Sequence, residues 1–545
     1  MYAQGLFSFR EIAFRWMVTF TLCFSCLVMP VNAEEQQRPL GLSELPTARQ
    51  REIEQRIEPP PLAERDAPYS TPMYYLMHKG FSDGINNEIL LDRNRPDWQE
   101  ALIRDWAELG LTSTLACTTP KEWDDANIAQ AYRDYFRLSK QYGLDVGMRL
   151  AGDETLEGIE ASGWGVHPRN PDNRLDDYAK WAGRIALAGR GTVAYYIVGD
   201  EVNSQGWETS DSEGNTVKGQ TADNRRWTPE DYLVAFTKIA KAIRQSDPDA
   251  KVSMFGMNGI DVSYLDELFD LGYADIADGV AANIDFGRYS PAQVRDFVEH
   301  VGSRAPNFKF YSNGVGYVAA RDTNFYPANH GYLPVSDDTP DGADAASSDD
   351  HTPRLYSDEA QAKRIAKGMF AGFIAGWDVT PYYIVLRQWL LPDGTPAPHW
   401  YGFFGVNDLK VDEFGHVTPI RHAGWYAIQT ISHIFYSKDR TKLAPFQIQI
   451  SGEVDQSWAF VRDNYECLLV LWNDSGAEPV TTDIVIGDTE FTYPVQVSLF
   501  NYRLTTELPY EIDEQGRLTI HDVQVTDAPF IIRLVKEEQV WAGSP

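Results

Sequence analysis

A pair of adjacent carboxylates follows an apolar run in the segment Val193–Asn203, which reads VAYYIVGDEVN. Asp200 and Glu201 come after six apolar or aromatic residues and one glycine, a composition that predicts a buried strand. A carboxylic acid held at the end of such a strand can donate a proton, and a neighbouring carboxylate raises its pKa. Acidic residues in this position also serve as helix caps or ion-pair partners. The segment therefore indicates acid chemistry, with a capping or ion-pairing role as the alternative.

Strand–helix units along most of the chain would position this pair. Near-continuous apolar runs alternate with stretches of helical period, and two of these helices begin with a hydroxyl residue followed by proline. Such strands predict a parallel sheet covered on both faces, and eight units predict a (β/α)8 TIM barrel over residues 70–437, with its active site at the carboxyl ends of the strands. A doubly wound open sheet is the alternative. The predicted units pair MYYLM with 96–109, STLAC with 126–142, DVGMRL with 174–188, VAYYIV with 229–244, KVSMF with 264–271, GVAANI with 291–301, KFYS with 358–375 and PYYIVL with 422–435.

The last hundred residues show a different pattern. After residue 438 the helical period ends, and runs such as FQIQI, SWAFVR, CLLVLW and FIIRLV follow one another with turn residues between them. Short strands at this spacing predict an antiparallel β-sandwich domain over residues 438–545.

The amino terminus has the features of a secretory signal. Arg10 and Arg15 precede a largely apolar run over 16–29, and VNA ends the segment before a polar stretch. We expect residues 1–33 to be a cleaved signal peptide and residues 34–69 to be a polar N-terminal extension. No later segment is apolar over the ~18 residues that a membrane span needs. The sequence therefore predicts a secreted or periplasmic protein without a membrane span.

Net charge and composition limit the classes of partner that the protein can bind. The chain of 545 residues has a formal net charge of −31, which makes nucleic acid a poor candidate. Its 43% hydrophobic and 13% aromatic residues are enough to fill a large core. The sequence indicates no cofactor.

Two features of the sequence are candidates for a disulfide and for a metal site: the two cysteines outside the signal and an aspartate-rich segment. Cys117 and Cys467 are the cysteines outside the signal, and we expect two buried thiols, with a disulfide between them as the alternative. Residues 336–352 carry six aspartates, but their spacing lacks the terminal Glu of an EF-hand loop. We expect a solvated loop there, with a calcium site as the alternative, and we predict no metal centre.

The arrangement resembles clan A glycoside hydrolases over roughly residues 70–540. The resemblance rests on the Glu ending strand 4, on the strand-7 segment FKFYSNGVGY, on FGVNDLKVDEFGHVTPIRHAGWYAIQTIS after strand 8, and on the terminal sandwich. It implies that Glu201 is the general acid/base, with Asp200 replacing the usual Asn. The clan's nucleophile is a Glu ending strand 7, where this chain has Asn313.

The four residues Gly199–Val202, GDEV, also resemble the GGDEV of family 20 β-N-acetylhexosaminidases. In that family the Glu is the acid, and the Asp orients the acetamido group of the substrate, which acts as the nucleophile. The resemblance implies that a strand-7 carboxylate is not required, which is consistent with Asn313.

Cleavage of a glycosidic bond needs an acid on the leaving oxygen and a nucleophile or base on the other face of the sugar. Glu201 is the predicted acid. Three candidates remain open for the second group: Asp285 after strand 6, Asp153 or Glu154 after strand 3, and a group of the substrate positioned by Asp200.

Basic and aromatic residues near the strand ends suggest how a glycan binds. His78, Lys79, Arg149 and Arg387 are predicted to lie at one rim, where they would bind an anionic group; alternatively, the two arginines orient the catalytic carboxylates. Asn313, Tyr317 and Trp389 complete the predicted substrate-binding set. Aromatic candidates for stacking on sugar rings, about half of them expected to be core residues, are Trp164, Trp207, Trp377, Trp389, Trp400 and Tyr401.

We therefore expect an exported glycoside hydrolase that cleaves an oligo- or polysaccharide, possibly an anionic one. The alternatives are a substrate-assisted β-N-acetylhexosaminidase and a catalytically inactive barrel that binds glycan.

Overall fold

Helices and strands alternate through most of the part of the chain that the computed structural model describes. That part comprises residues 73–76, 96–111, 113–118, 126–150, 168, 174–200, 203, 209–210, 216–217, 227–283, 289, 291–312, 333–334, 354–355, 358–377, 381–382, 386–393, 396–398, 405–435, 443–445, 447–462, 466–473, 478–487 and 491–535. Its helices are α1 Pro96–Glu108, α2 Ala126–Gln141, α3 Leu175–Gly189, α4 Pro229–Ser246, α5 Val262–Asp270, α6 Pro291–Arg304, α7 Asp358–Ala375 and α8 Ala423–Ile434, with a 3₁₀ turn at Tyr273–Asp275.

The strands fall into two series, before and after α8. Those of the first are β1 Met73–Leu76, β2 Ser113–Thr118, β3 Asp145–Leu150, β4 Val193–Asp200, β5 Thr209–Ser210, β6 Thr216–Val217, β7 Lys251–Asn258, β8 Gly279–Asn283, β9 Lys309–Ser312, β10 Leu333–Pro334, β11 Arg354–Leu355, β12 Pro381–Tyr382, β13 Leu386–Leu390, β14 Pro396–Pro398, β15 Asn407–Val411 and β16 Val417–Arg421. Those of the second are β17 Leu443–Pro445, β18 Gln449–Ile450, β19 Gln456–Arg462, β20 Glu466–Trp472, β21 Val480–Ile486, β22 Tyr493–Ser498, β23 Asn501–Glu507, β24 Tyr510–Ile512, β25 Leu518–Val525 and β26 Phe530–Val535.

Eight strands form one parallel sheet in the order β12-β1-β2-β3-β4-β7-β8-β9. Neighbours in this sheet follow one another along the chain, except that β12, the strand of the last unit, pairs with β1 of the first. Because consecutive parallel strands need a crossover, each connection from β1 to β9 carries a helix. The predicted alternation of strands and helices around a parallel sheet is therefore confirmed.

The sheet curls. Tyr195 on β4 stacks on Tyr311 on β9, with 4.1 Å between ring centroids and 18° between planes. Two strands, β7 and β8, lie between them in the sheet. A flat sheet would hold these side chains about 14 Å apart, at about 4.8 Å per strand. The contact therefore requires that β4 and β9 face each other across a concave surface.

The opposite face of the sheet packs on the helices. Val146, Met148 and Leu150 of β3 alternate along the strand and belong to the main hydrophobic core, together with apolar residues of α2 and α3. Alternation is expected because successive strand side chains point to opposite faces. The residues between them, Gly147 and Arg149, therefore lie on the concave face.

Strand 8 differs from the single strand predicted for PYYIVL. In the structure β12 ends at Tyr382, and Leu386 begins β13, which belongs to a separate four-stranded sheet in the order β14-β13-β15-β16. β13 pairs in parallel with β15, and β15 and β16 form an antiparallel hairpin. Apolar period does not distinguish the two sheets, because it reports burial and not the partner strand.

The last part of the chain contains two antiparallel sheets, in the orders β17-β19-β20-β26-β22-β23 and β18-β21-β25-β24. Apolar residues of both sheets form one core cluster, which includes Leu469, Ile484, Ile520 and Ile532. The other face of the six-stranded sheet packs on α7, where Trp472 stacks on Phe370 with 6.2 Å between ring centroids. Cys467 is a buried free cysteine in β20.

Candidate active site

The carboxyl end of β4 is kinked. Gly199 has a φ of +93°, a left-handed conformation that glycine adopts without the cost that a side chain imposes. The strand continues after the kink, because Asp200 pairs with Gly256 of β7. Irregularities of this kind re-aim the residues that follow and are frequent beside active sites. The left-handed backbone at Gly199 therefore sets the orientation of Asp200, the last residue of β4.

The concave face beside this strand end carries a buried cation. Arg149, the penultimate residue of β3, pairs with Ile197 of β4 and is 4% exposed. Gly147 lies two residues earlier, on the same face of β3. A Cβ at this position would overlap the ring of Tyr195, so glycine leaves the space that the stack of Tyr195 on Tyr311 needs. Burial, followed by the neighbouring Tyr311, raises the pKa of Tyr195 well above its ordinary value. Among the charged residues predicted for the site, Arg149 is the one whose side chain lies in the described part of the chain.

The chain is anchored again just beyond the predicted pair. Asn203 is buried, and its Nδ2 donates to Oδ2 of Asp261 over 3.3 Å. Asp261 in turn caps α5, since its Oδ1 accepts from the Tyr264 amide at 3.0 Å. Asp200 and Asn203, the described residues on either side of Glu201, therefore bind to β7 and to the loop that follows it, respectively.

The loops after β7 and β8 are joined by a tyrosine. The Ile260 amide donates to the Tyr289 hydroxyl over 3.1 Å, and Gly259 has a φ of +69°. A Cβ at Gly259 would overlap the same hydroxyl, so glycine is required both for the backbone and for the contact. Tyr289 lies four residues after Asp285 in the chain, and its role was not predicted from the sequence.

Most of the predicted site residues lie outside the part of the chain that the structure describes. His78, Lys79, Glu201, Asp285, Asn313 and Tyr317 lie outside the described residues, as do Asp153 and Glu154. For Asp200, Arg387 and Trp389 the strand is described and the side chain is not: Asp200 ends β4, and the other two lie in β13 of the four-stranded sheet. The roles predicted for these residues therefore stay predictions.

Two other sets of predictions also fall outside the described residues. They are the 336–352 loop and the N-terminal 1–69 region. Among the aromatic candidates, Trp377 belongs to the core, where its ring lies against Phe297 and Phe310.

The segment after strand 8 that carried part of the family resemblance forms a structural network. Asn407 and Trp425 donate to Oδ2 of Asp105 on α1, the latter over 3.3 Å. Arg421 contacts Oδ1 of the same carboxylate at 3.1 Å and lies over the Trp425 ring at 3.8 Å. Burial raises the pKa of Asp105 to about 6, although Arg421 opposes the shift. These residues fix the base of the β15–β16 hairpin to α1.

A second buried group lies on the other side of β15. The His422 ring, at the start of α8, has Nε2 at 3.1 Å from Asp408 and Nδ1 at 3.6 Å from Asp358, the first residue of α7. All three side chains are buried. This group joins α7 and α8 to the hairpin. A signal for it was present in the sequence, because adjacent polar residues on a strand, here Asn407 and Asp408, project to opposite faces and need separate partners.

The described residues offer no group of three or more His, Cys, Asp or Glu side chains that could hold a metal ion. Within the same residues, none of the helices combines the length and apolar character that a bilayer crossing requires.

Comparison with known proteins finds similarity among solved structures. No protein-family model matches the sequence, and no curated protein matches it. A family 30 endoxylanase from Clostridium papyrosolvens is 11% identical, with 80% of this chain and 92% of that chain covered and a TM-score of 0.45. A family 51 α-L-arabinofuranosidase from Bifidobacterium longum is 13% identical, with 88% and 97% covered and a TM-score of 0.45. A family 39 β-xylosidase from Caulobacter crescentus is 12% identical, with 88% and 97% covered and a TM-score of 0.44.

These solved structures are clan A glycoside hydrolases, the group that the sequence resembles.

Proposed function

We propose that the protein is a glycoside hydrolase that acts on an oligo- or polysaccharide. The observation that carries the proposal is the kinked end of β4. There a buried parallel strand turns at Gly199 and leads directly into Asp200 and Glu201, beside the buried Arg149 of the neighbouring strand. Carboxyl ends of parallel strands are where α/β enzymes place their chemistry. An acid pair in that position suits proton donation to a leaving oxygen.

The finer architecture is part of the same proposal. We infer that the curled sheet closes into a (β/α)8 barrel through β9 and β12, the two strands at its ends, and that the two C-terminal sheets form a sandwich. The Tyr195–Tyr311 stack supports the first inference, and the apolar cluster that the C-terminal sheets share supports the second. We also propose that residues 1–33 direct export to the periplasm or the medium.

In the proposed mechanism Glu201 is the general acid. Its proton passes to the glycosidic oxygen as the bond between that oxygen and the anomeric carbon breaks, so that the leaving sugar departs as an alcohol and Glu201 becomes a carboxylate. The second group is Asp285, Asp153 or Glu154, or the substrate's own acetamido group positioned by Asp200. Substitution of Asp285 by Asn distinguishes the first of these, since it would abolish turnover only if that carboxylate takes part.

A substrate-assisted β-N-acetylhexosaminidase is the second candidate function. Asn313 at the position of the clan's nucleophile favours it, together with the GDEV segment. A matched pair of substrates distinguishes the two candidate functions. A hexosaminidase of this type would lose cleavage when the acetamido group of the sugar is replaced by a hydroxyl, whereas an enzyme with its own nucleophile would retain it.

The charge of the substrate is a further part of the proposal. Arg149 is buried on the concave face, which suits it to orient a carboxylate of the enzyme, whereas Lys79 and Arg387 are the candidates for binding a uronate or sulfate. Substitution of Lys79 or Arg387 by Met should weaken cleavage of an anionic glycan much more than cleavage of its neutral counterpart. An equal loss on both would assign these residues a structural role.

The proposed function is tested by reducing-sugar release from a panel of neutral, acetamido-bearing and anionic polysaccharides. On the substrate cleaved best, Glu201→Gln should lower kcat by a factor on the order of 100 or more, because it keeps the size of the side chain and removes the proton. Urea unfolding of the variant should match that of the wild type. Release of no sugar by the wild type, or near-normal turnover by the variant, would contradict the proposal.

A further inference from the structure

A buried hydroxyl lies between the last carbonyl before the β4 kink and the neighbouring strand. The Tyr232 hydroxyl donates to the Val198 carbonyl over 2.8 Å and accepts from the Phe255 amide over 2.9 Å. Val198 pairs with Met254 in the parallel ladder, so the carbonyl and the amide belong to facing stretches of β4 and β7. The hydroxyl therefore links the main chains of two strands at the level of the kink.

The kink itself is held on both sides. Val198 precedes Gly199 and is fixed by Tyr232, while Asp200 follows Gly199 and is fixed by its pairing with Gly256. With a φ of +93° at Gly199, a small change at Val198 would rotate the chain that follows. The backbone at the kink is thus held by two contacts, and the Tyr232 hydroxyl supplies the one on the Val198 side.

Tyr232 is itself held firmly. It is the fourth residue of α4, whose start is set by Pro229 and by Thr228, whose hydroxyl accepts from the Asp231 amide. Its ring is buried and packs edge to face on Phe255, with 4.8 Å between centroids. Burial raises the pKa of Tyr232 well above its ordinary value, so the hydroxyl keeps its proton and remains a donor to Val198.

Two related tyrosine contacts differ from that of Tyr232 in the strands that they contact. Tyr178 is likewise the fourth residue of its helix, α3, and its hydroxyl donates to the carbonyl of Leu150, the last residue of β3, over 2.9 Å. Tyr273 also bridges two strands, because its hydroxyl accepts from the Met254 amide and donates to the Gly279 carbonyl, each over 2.7 Å. Its carbonyl partner, Gly279, begins β8, whereas its amide partner, Met254, pairs with Val198; Tyr273 therefore bridges β7 to β8, and Tyr232 bridges β4 to β7.

We propose that Tyr232 is a positioning residue for catalysis, which holds the kinked end of β4 so that the acid following Asp200 is aimed at the leaving oxygen. The proposal rests on the proposed glycoside hydrolase function with Glu201 as the acid. It assigns Tyr232 no contact with substrate. Its effect acts through the main chain of Val198 and Gly199, and misplacement of a catalytic group by about 1 Å is enough to cost a large factor in rate.

The test uses the dependence of the rate on the leaving group. A glycan with an alcohol leaving group needs proton donation, whereas the 2,4-dinitrophenyl glycoside of the same sugar does not, because dinitrophenolate departs unprotonated. On the full-length protein, Tyr232→Phe should lower kcat about tenfold on the glycan and by less than about twofold on the dinitrophenyl glycoside, with KM unchanged on both. A residue that only supports the fold would lower both rates by the same factor.

Tyr273→Phe is the matched control. It removes a buried hydroxyl that bridges two strands, as Tyr232→Phe does, and it should lower the urea midpoint similarly while leaving the ratio of the two rates at its wild-type value. Equal losses on the two substrates for Tyr232→Phe, or the same change of ratio in Tyr273→Phe, would overturn the positioning role.

Two further variants keep the test informative if Tyr232→Phe does not fold or if Glu201 is not the acid. If Tyr232→Phe does not fold, Gly199→Ala perturbs the same kink from the other side without removing a buried hydroxyl, and should show the same dependence on the leaving group. Glu201→Gln separates this inference from the function on which it rests. If Glu201→Gln shows no dependence on the leaving group, the acid assignment fails; if it does and Tyr232→Phe does not, the positioning role alone fails.

Discussion

Acidic residues are held in two different ways in this molecule, at the end of β4 and beside the β15–β16 hairpin. Asp105 is held through its own oxygens, which accept from Asn407, Arg421 and Trp425. The end of β4 is held through its main chain, by the Tyr232 hydroxyl on Val198 and by the Asp200 pairing with β7.

The difference separates a structural carboxylate from a candidate catalytic one. A carboxylate whose oxygens already accept several bonds stabilises the fold but has little left to offer a substrate. A carboxylate that only its main chain holds would keep its oxygens for chemistry, which is the role proposed for Glu201. Both are acids, so residue type does not distinguish them; the described contacts are to the side chain of Asp105 and to the main chain of Val198 and Asp200.

The largest effect is expected at Asp105. Substitution by Ala leaves the Arg421, Asn407 and Trp425 donors without their acceptor, and should lower the free energy of unfolding by about 3 to 4 kcal/mol. Urea denaturation measures this loss. Turnover per folded molecule should stay at the wild-type level; a fall in turnover comparable to that of Glu201→Gln would remove the distinction between the two acid groups.

A slightly smaller effect is expected on the concave face. Gly147→Ala places a methyl group against the ring of Tyr195, which is buried and stacked on Tyr311, so the unfolding free energy should fall by about 2 to 3 kcal/mol. Gly302→Ala is the control, because it adds the same methyl group in helix α6, where, apart from the adjoining residues and backbone of the helix itself, nothing lies within 4 Å. Thermal unfolding of both variants tests the pair, and equal stability of the two would show that the concave face is not tightly packed.

Asp105 should also give stability a specific dependence on pH. Its pKa is raised from 3.8 to about 6 in the folded protein, so the folded state binds the proton more tightly than the unfolded state. The resulting stabilisation is fully present below the unfolded pKa and is lost as pH rises through the folded pKa. Relative to Asp105→Asn, which does not titrate, the wild type should therefore gain about 2 kcal/mol between pH 7 and pH 4.5. Urea unfolding of both proteins at the two pH values measures the gain, and a difference independent of pH would show that the pKa is not raised.

The smallest effect is expected at Glu108, the other acidic partner of Arg421. Its side chain is 50% exposed, in contrast to Asp105, which is buried. Glu108→Ala should cost less than about 1 kcal/mol, and high salt should reduce even that, because exposed ion pairs are weakened by solvent and screened by ions. A loss as large as that of Asp105→Ala would mean that exposure does not set the strength of this network.

Local pattern was sufficient to predict most of the helices and core strands and the place of Asp200 at the end of β4. Helix α7 was predicted with the bounds that it has, and β4 was recognised from VAYYIV, because burial of one face imprints a period on the residues of each element. The N-cap at Thr228 was likewise predicted, since hydroxyl residues satisfy the free amides of a first turn. The pairing of β12 with β1, the transfer of β13 to another sheet and the meeting of Tyr195 with Tyr311 were not predictable in this way.

The first and last of these features join residues more than a hundred positions apart, and β13 pairs with strands that follow it; a period along the chain carries no record of which partner fills the space. The same reason explains why the segment after strand 8, read as part of a family resemblance, proved to bind α1 and α7 through Asp105 and Asp358. It also explains Tyr232, which in the sequence is one more residue on the apolar face of a helix. Only the packing of α4 against β4 and β7 brings its hydroxyl to the Val198 carbonyl, where a side chain with one polar atom links two main chains.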